Sequence, residues 1–283
     1  MNLAELSGTF QKELKNLYDK EEIHSLFLLV VNHLLGYSKG RYITEKQTPL
    51  EEDVYLKFEE ILLLLNDGKP VQYVIGKTAF YGLPFKVNPA VLIPRPETEE
   101  LVDWILNDDE IDKKPVKVID IGTGSGCIAI SLKKNLLHAD VYAIDISREA
   151  LATAKGNALL NEVEVGFIHD DILGPLQEDY LKYDVIVSNP PYITENEKRE
   201  MHQNVLAHEP HTALFVSNER PLVFYEAIAD FAKRHLNEHG ILFFEINEYL
   251  GKQTVEMLMA KGFMDIVLRK DMQGKDRMIK AIL

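Results

Sequence analysis

The spacing of apolar residues changes once along the chain, near residue 70. Between Leu3 and Leu65 the apolar side chains recur at helical intervals without strand-like alternation, which predicts a small helical domain over residues 1–68. Turn-forming residues 66–70 end it. Residues 69–94 are rich in aromatic and β-branched residues interrupted by glycine and proline, so we expect a short β hairpin that links this domain to the rest of the chain.

Beyond residue 95, strand-like and helix-like segments alternate. Helices are predicted from about residue 125 and over 148–160, 221–236 and 249–261. Seven strands are predicted over residues 116–121, 141–146, 165–168, 184–188, 241–246, 266–269 and 278–283. This alternation predicts an α/β domain over residues 95–283, with a mostly parallel sheet and helices on both faces. The short connection between the last two strands predicts an antiparallel end to the sheet.

Composition fits this organisation and narrows the choice of partners. At 283 residues, 46% of them hydrophobic, the chain is long and apolar enough for one full α/β domain and a smaller companion. Its formal net charge of -14 would repel a phosphate backbone unless a local basic patch offset it. Nucleic acid is therefore a disfavoured partner.

Cysteine content and hydropathy predict a cytoplasmic protein without a metal or a membrane segment. The single cysteine, Cys127, allows neither an intramolecular disulfide nor a cluster of thiolate metal ligands. No apolar run approaches the ~20 residues of a membrane-spanning helix, and the N-terminus lacks the basic start of a secretory signal. His202, His208, Glu209 and His211 do not have the His-Glu-x-x-His spacing of a zinc helix, and we interpret them as loop residues.

Three glycines stand where a predicted strand meets a predicted helix. Gly122, Gly124 and Gly126 lie in Asp-Ile-Gly-Thr-Gly-Ser-Gly, where the backbone has to turn sharply and let a ligand approach closely. Asp145 ends the next strand, at a spacing where a carboxylate meets the two hydroxyls of a ribose. We expect a cofactor with a ribose there, either a dinucleotide or S-adenosylmethionine. A tight turn without a ligand is the weaker alternative, because the strand, the helix and Asp145 accompany the glycines.

Two details favour S-adenosylmethionine over a dinucleotide. The glycines follow Gly-x-Gly-x-Gly rather than the Gly-x-Gly-x-x-Gly of dinucleotide sites. Asp120 can pair with the ammonium at the methionine end of the cofactor, whereas it would repel a pyrophosphate. The predicted cofactor-binding residues are Asp120, Gly122, Thr123, Gly124, Ser125, Gly126, Asp145 and Asp171. Asp171 could accept from the adenine amino group, and the alternative is that it ends a strand in solvent.

The fourth predicted strand runs into Asn189, Pro190, Pro191 and Tyr192 at its carboxyl end, where open α/β sheets bind ligands. The prolines remove two N–H donors and leave carbonyl acceptors beside the Asn189 side-chain oxygen. Such a site suits an -NH2 group held by Asn189 and the Pro190 carbonyl, with the Tyr192 ring against a planar amide or base. We predict methyl transfer to a planar nitrogen, with Asn189, Pro190 and Tyr192 as catalytic residues and all four as substrate-binding residues. A strand-ending turn is the weaker alternative.

With these motifs assembled, the sequence resembles the PrmC/HemK family of protein-glutamine methyltransferases over nearly its whole length. The segments that carry the resemblance are residues 70–76, 80–82, 92–99, 120–126, 189–192, 209–210 and 213–214. Asn-Pro-Pro-Tyr alone is shared with adenine-N6 DNA methyltransferases and some rRNA guanine methyltransferases. The segment 92–99, Leu-Ile-Pro-Arg-Pro-Glu-Thr-Glu, makes the resemblance specific. One stretch departs from the family: residues 215–221 replace a glycine-rich sequence that contains an aspartate.

The resemblance implies a Rossmann-like class I methyltransferase fold and a function in translation termination. The methyl group of S-adenosylmethionine would go to the side-chain amide of the glutamine in the Gly-Gly-Gln motif of peptide chain release factors, which the helical domain would dock. Implied cofactor contacts come from residues 122–126, Asp145, Asp171, Ile172 and Asn189, and glutamine contacts from residues 189–192. Two alternatives stay open: an amino-nitrogen methyltransferase acting on adenine or guanine in nucleic acid, and a non-catalytic translation-factor-binding module.

Overall fold

The change in apolar spacing coincides with a division of the structure into two units. The computed structural model describes residues 1–111, 115–176, 180–201 and 203–283. The first unit contains Met1–Gly76 together with a helix from later in the chain, Gln203–His208. The second unit begins at Lys77 and contains the other described residues. The chain therefore passes from the second unit into the first and back again.

The described α-helices contain four to sixteen residues, and none is both long enough and apolar enough to span a membrane. They are α1 (Leu3–Leu14), α2 (Lys20–Leu35), α3 (Lys39–Glu45), α4 (Glu52–Asn66), α5 (Val71–Ile75), α6 (Pro96–Leu106), α7 (Cys127–Asn135), α8 (Arg148–Leu160), α9 (Gln203–His208), α10 (His211–Leu214), α11 (Val223–His235) and α12 (Gly251–Ala260). A 3-10 helix covers Glu197–Glu200.

The first unit is helical because its apolar stripes meet in one core. Helix α1 begins after Asn2, whose side chain and backbone exchange hydrogen bonds with Glu5, each 3.0 Å long. The rings of Phe10, Phe27 and Phe58 pack together inside, with Phe10 and Phe27 edge to face at 5.0 Å. In α9, Asn204 Nδ2 lies 2.6 Å from the Tyr18 hydroxyl, which ties this helix to the same unit. The predicted N-terminal helical region is confirmed.

The strands form one large sheet and two small pairs. In chain order they are β1 (Lys77–Phe80), β2 (Leu83–Lys86), β3 (Lys117–Ile121), β4 (Asp140–Asp145), β5 (Gly166–His169), β6 (Tyr183–Ser188), β7 (Ile193–Thr194), β8 (Phe215–Val216), β9 (Leu236–Glu245), β10 (Met264–Lys270) and β11 (Asp276–Ile282). The seven-stranded sheet has the order β10-β11-β9-β6-β3-β4-β5. Its strands are parallel except β11, which is antiparallel to both neighbours. The predicted sheet and its antiparallel end are confirmed.

Helices cover both faces of this sheet. Along β3 and β9 successive side chains point to opposite faces, so Val118 and Phe243 belong to one core, and Ile119 and Phe244 to the other. Helices α6 and α7 pack on the first face, while α11 and α12 pack on the second. Each apolar helix stripe is thus buried against the sheet, as α/β architecture requires.

The hairpin β1–β2 is part of the second unit. Asn157, fully buried in α8, accepts from the backbone N–H of Lys86 at 2.7 Å and donates to the Lys86 carbonyl at 2.9 Å. The same Asn157 amide donates to the Ser125 carbonyl at 2.9 Å, and Asn161 donates to the Pro84 carbonyl at 2.9 Å. The sequence placed a linker over residues 69–94, whereas the structure divides the chain inside that range, because these hydrogen bonds join the hairpin to α8.

Candidate active site

The glycine loop lies at the point where the connections of the sheet change direction. The chain leaves β3 towards β4 and β5 on one side and returns to β6 on the other, so a crevice opens beyond the ends of β3 and β6. Ile121, the last residue of β3, pairs with Ser188 and with Ile144. The residues that follow these three, namely Gly122, Asn189 and Asp145, therefore emerge side by side at one edge of the sheet.

The three glycines serve two different purposes. Gly122 and Gly124 have φ of +75° and +55°, and a Cβ atom there would meet no described atom within 4 Å, so their surface is left open. A Cβ atom on Gly126 would lie 2.8 Å from Ile130 Cδ1 and 3.1 Å from Ala154 Cβ. The first two glycines thus leave room for a ligand, and the third lets α7 and α8 pack closely.

Asp145 is fixed against the glycine loop by two backbone donors. Its Oδ2 accepts from Gly124 N at 2.8 Å, and its Oδ1 accepts from Ser147 N at 2.9 Å. Burial raises the pKa of Asp145, and these two N–H groups oppose that rise because they favour the carboxylate. Each oxygen still has a free lone pair for a ligand hydroxyl.

Asp120 lies behind the glycine loop and is 0% exposed. The Thr123 hydroxyl donates to its Oδ2 at 2.6 Å, while Oδ1 has no hydrogen-bond partner among the described residues. Burial raises the pKa of Asp120 to about 7 and the charge of Asp145 adds to the rise, although the Thr123 hydroxyl and the Ala129 backbone N–H favour the ionised form. A carboxyl group that is costly to ionise and incompletely hydrogen-bonded would be stabilised by a positive charge bound on the loop.

Most of the predicted site residues line one cavity of about 400 Å³ in the second unit. On its wall are Gly122, Thr123, Gly124, Ser125, Asp145, Asp171, Ile172, Asn189, Pro190 and Pro191. Three predicted residues, Asp120, Gly126 and Tyr192, are not on the wall. The cavity thus joins the glycine loop to the Asn-Pro-Pro segment, as a site that brings a cofactor to a substrate requires.

The side chains of Asn189 and Tyr192 are held by a common carboxylate. Asn189 Nδ2 donates to Thr98 Oγ1 at 3.2 Å, and Thr98 donates to Glu245 Oε2 at 2.6 Å. The Tyr192 hydroxyl donates to Glu245 Oε1 at 3.0 Å, and its ring packs on the core. Tyr192 therefore supports the segment from behind, and its role as an aromatic surface for the substrate stays a prediction.

A second buried carboxylate joins two of the segments that carry the family resemblance. Glu209 accepts from Arg95 at 2.6 Å and from the Ile93 backbone N–H at 3.3 Å. This pair fixes the start of α6, on which Thr98 lies. Among the described residues no group of three or more His, Cys, Asp or Glu side chains could hold a metal ion. His202, part of the histidine group considered above, lies outside the described residues.

The stretch 215–221, which departs from the family pattern, begins with a strand. Phe215–Val216 pairs in parallel with Ile193–Thr194, shortly after the Asn-Pro-Pro-Tyr segment. Phe215 lies on the cavity wall, and the Lys198 ammonium stands 4.1 Å from the centre of its ring. Asn218 Oδ1 accepts from Asn196 N at 3.1 Å. These contacts keep the stretch beside the cavity without the usual glycines.

Comparison with known proteins decides the family. The chain matches the models of the methyltransferase small domain over residues 105–218 and of the PrmC N-terminal domain over residues 7–76. The release factor glutamine methyltransferase of Flavobacterium psychrophilum is 48% identical over 274 residues, 96% of each chain. That of Bacteroides thetaiotaomicron is 41% identical over 276 residues, 98% of each chain. The chain belongs to the release factor glutamine methyltransferase family.

Two solved methyltransferase structures share the fold of this protein. A methyltransferase from Pyrococcus furiosus has a TM-score of 0.52 and 17% identity over 72% of this chain and 90% of its own. The 16S rRNA N2 G1207 methyltransferase of Thermus thermophilus has a TM-score of 0.53 and 18% identity over 73% of this chain and 49% of its own. At these identities the likeness shows the class I methyltransferase fold alone.

The residues at the cavity fit S-adenosylmethionine, the cofactor of the family, by their charge. It carries a sulfonium and an ammonium, and the unpaired Asp120 Oδ1 lies behind the open backbone of Gly122 and Gly124. Asp145 is placed to accept from ribose hydroxyls, and Asp171 and Ile172 lie on the same wall. When bound, this cofactor supplies a methyl group on a positively charged sulfur. The individual contacts of these residues stay predictions.

The raised pKa of Asp120 predicts pH-dependent cofactor binding. A positively charged ligand favours the ionised carboxylate, so binding below about pH 7 has to displace a proton, and the affinity should fall by about tenfold per pH unit there. We expect calorimetry between about pH 5.5 and pH 7 to show this slope, with proton uptake by the buffer. In Asp120→Asn the slope should disappear. An unchanged slope in that variant would assign the titration to another group.

Four residues of the site were not recognised as functional from the sequence. Thr98 and Arg95 fell within the segment 92–99, and Glu209 within 209–210, but these segments carried only a resemblance and no role. Glu245 belongs to none of these segments, although an acid directly after Leu-Phe-Phe in a predicted buried strand is a detectable signal. Buried acids at the carboxyl end of a parallel strand should therefore be counted among candidate site residues.

Proposed function

We propose that this protein transfers a methyl group from S-adenosylmethionine to the side-chain amide nitrogen of the glutamine in the Gly-Gly-Gln motif of peptide chain release factors. The observation that carries the proposal is the orientation of Asn189. Its nitrogen is engaged by Thr98, so its oxygen is left as an acceptor on the wall of the cavity that the glycine loop also lines. The family membership and the names of the relatives support the same substrate.

The site would act by orienting the amide and by raising its electron density. The nitrogen of an amide is a poor nucleophile because its lone pair is delocalised into the carbonyl. Asn189 Oδ1 and the Pro190 carbonyl would each accept one N–H of the glutamine. Both hydrogen bonds become stronger as positive charge develops on the nitrogen. As the N–C bond forms, the bond between the methyl carbon and the sulfur breaks and leaves neutral S-adenosylhomocysteine, and the nitrogen releases one of its two protons to water. Alignment of the nitrogen, the methyl carbon and the sulfur supplies the rest of the rate enhancement, so no strong base is required.

The first unit would dock the release factor, and the reaction would take place in the cytoplasm, where release factors act. Two exposed leucines on α4, Leu56 and Leu63, lie seven residues apart and so on one face of the helix. They are 55% and 71% exposed, which gives this unit an apolar surface that a protein partner can cover. The predicted boundary of the docking domain at residue 68 is extended to Gly76 in this proposal.

Transfer of a labelled methyl group tests the function directly. The protein is mixed with methyl-labelled S-adenosylmethionine and a release factor, a release factor with Gly-Gly-Ala in place of Gly-Gly-Gln, or duplex DNA. We expect label on the first substrate alone. Label on the DNA would identify an adenine or guanine methyltransferase, and cofactor binding without label on any substrate would identify a binding module.

Substitution of the exposed leucines tests the docking role. We expect Leu56→Ser with Leu63→Ser to raise the KM for the intact release factor by about fivefold or more, since truncated interface anchors cost over 1 kcal/mol. The kcat and the affinity for S-adenosylmethionine should stay unchanged because the cavity lies in the second unit. Leu137→Ser with Leu159→Ser, at residues of the second unit that are 79% and 80% exposed, is the matched control. Equal KM values in both double variants would refute the docking role.

A further inference from the structure

A chain of hydrogen bonds leads from a buried acid to the Asn189 side chain. Glu245 and Thr98 are both buried, at the carboxyl end of β9 and in the first turn of α6. The Thr98 hydroxyl lies 2.6 Å from Glu245 Oε2, and Asn189 Nδ2 lies 3.2 Å from Thr98 Oγ1. Buried polar atoms of this kind are almost always hydrogen-bonded, so the order of donors and acceptors along the chain can be worked out.

The carboxylate determines which way each group donates. Burial raises the pKa of Glu245, while the Thr98 and Tyr192 hydroxyls and the charge of Arg277 favour its carboxylate form. The carboxylate can only accept, so the single proton of the Thr98 hydroxyl is committed to it. Thr98 Oγ1 is then an acceptor, and the -NH2 end of Asn189 has to face it. If the Asn189 amide were rotated by 180°, its oxygen would face Thr98 Oγ1 with no proton between them. The cost of two facing buried acceptors keeps Asn189 Oδ1 turned away from Thr98.

The other oxygen of Glu245 holds the far end of the same segment. The Tyr192 hydroxyl donates to Glu245 Oε1 at 3.0 Å, so both carboxylate oxygens have a hydroxyl donor. The Tyr192 carbonyl in turn accepts from Asn247 Nδ2 at 3.0 Å. Glu245 therefore joins the side chains at both ends of the Asn189–Tyr192 segment and restricts their rotation.

We propose that Thr98 and Glu245 are positioning residues that fix the Asn189 amide with its oxygen towards the cavity, where it accepts from an -NH2 group of the substrate. This inference rests on the proposed function, because only an acceptor nitrogen with two hydrogens requires that orientation. Glu245 is not on the cavity wall, and Thr98, which is, acts in this proposal through its hydrogen bond to Asn189. Their effect is carried entirely by the direction of one amide group.

Thr98→Val tests the series of hydrogen bonds from Glu245 to Asn189 with little change in side-chain shape. Valine fills the same space but offers no acceptor to Asn189 Nδ2, so both amide orientations become similar in energy. We expect kcat to fall by about tenfold to a hundredfold, the size of effect that a small misplacement produces. The KM for the release factor and the Kd for S-adenosylmethionine should change by less than about threefold, since ground-state contacts are kept. Thr98→Ser keeps the hydroxyl and should restore most of the rate.

Thr254→Val is the matched control for the substitution itself. Thr254 is also fully buried in the second unit, but its hydroxyl donates at 2.9 Å to the Leu250 carbonyl of its own helix. We expect wild-type kcat in this variant. Thermal melts of all variants identify any that fail to fold. Glu245→Gln then gives a second route to the same measurement, because a glutamine amide can donate to Thr98 and so no longer commits the Thr98 proton, and we expect kcat to fall in this variant too.

A double-variant cycle separates positioning from a general structural role. Because Thr98 acts through Asn189, Thr98→Val should lower kcat by less than about twofold in an Asn189→Ala background. Single-turnover assays with labelled methyl groups measure such slow rates. Equal effects in both backgrounds, or wild-type kcat in Thr98→Val, would overturn the proposal. An inactive wild-type protein would instead overturn the proposed function, which the labelling experiment measures separately.

Discussion

Replacing Asn189 with alanine is expected to lower kcat by about a hundredfold or more, the effect of losing one oriented hydrogen-bonding group at a developing charge. The change removes the acceptor that Thr98 and Glu245 hold on the cavity wall. Affinity for S-adenosylmethionine should change only modestly, because the glycine loop and Asp145 are untouched. Single-turnover rates measure the first effect and calorimetry the second, with thermal melts to confirm folding.

Asn189→Asp distinguishes acceptance from donation. Aspartate keeps the size and an accepting oxygen, so the variant should be faster than alanine if Asn189 works by accepting from the substrate. It should remain slower than wild type, since the Thr98 hydroxyl has one proton to share between the introduced carboxylate and Glu245. A rate at or below that of the alanine variant would show that donation by Asn189 matters instead. Rates near wild type in both variants would remove Asn189 from the reaction.

Asp145→Ala is expected to weaken S-adenosylmethionine binding by roughly 1.5–3 kcal/mol, or about 10-fold to 150-fold in Kd. The ribose hydroxyls would lose a charged acceptor, and the Gly124 and Ser147 N–H groups would lose the carboxylate that fixes the loop. Isothermal calorimetry at about pH 8.5, more than one pH unit above the pKa of about 7 for Asp120, measures the change with little contribution from that group.

Asp140→Ala is the control for the loss of a carboxylate from the same strand. Asp140 is the first residue of β4 and Asp145 the last, so the two carboxylates lie at opposite ends of the strand, and Asp140 is exposed. Its removal should leave the Kd unchanged. If Asp145→Ala also binds with wild-type affinity, the carboxylate does not contact the cofactor, and its two backbone hydrogen bonds are its whole role.

The sequence predicted elements best where local signals agreed. Helix α8 has the predicted bounds, because Ser147 caps its first turn and its apolar positions recur regularly. Strand β9 was expected from residue 241 but begins at Leu236. The intervening Asn-Glu-His-Gly lacks any strand pattern and interrupts the register with β6, and His239 has a φ of +60°. The earlier start of the strand depends on pairing between Leu236 and Tyr183 of β6. Such pairing is a tertiary contact that local propensity does not contain.

Some residues of the candidate site could also be predicted from local signals, and others could not. Gly122, Gly124 and Asn189 could be predicted because each directly follows a strand that the alternation of apolar residues defines, and because parallel strands end at one edge. The partners of Asn189 could not, because Thr98 is separated from it by 91 positions and Glu245 from Thr98 by 147. No local pattern links residues that far apart. The motif segments identified the family before they revealed what their side chains do.

The buried amide of Asn157 makes the hairpin sensitive to events in the cofactor loop. One side chain accepts the Lys86 amide proton and donates to the Lys86 and Ser125 carbonyls, so Asn157 couples the hairpin and α8 to the loop. Local opening exposes amide protons to solvent, and a ligand that tightens the loop slows it. Hydrogen exchange at Lys86 should therefore slow when S-adenosylmethionine binds, which makes this amide a reporter of cofactor occupancy outside the cavity wall.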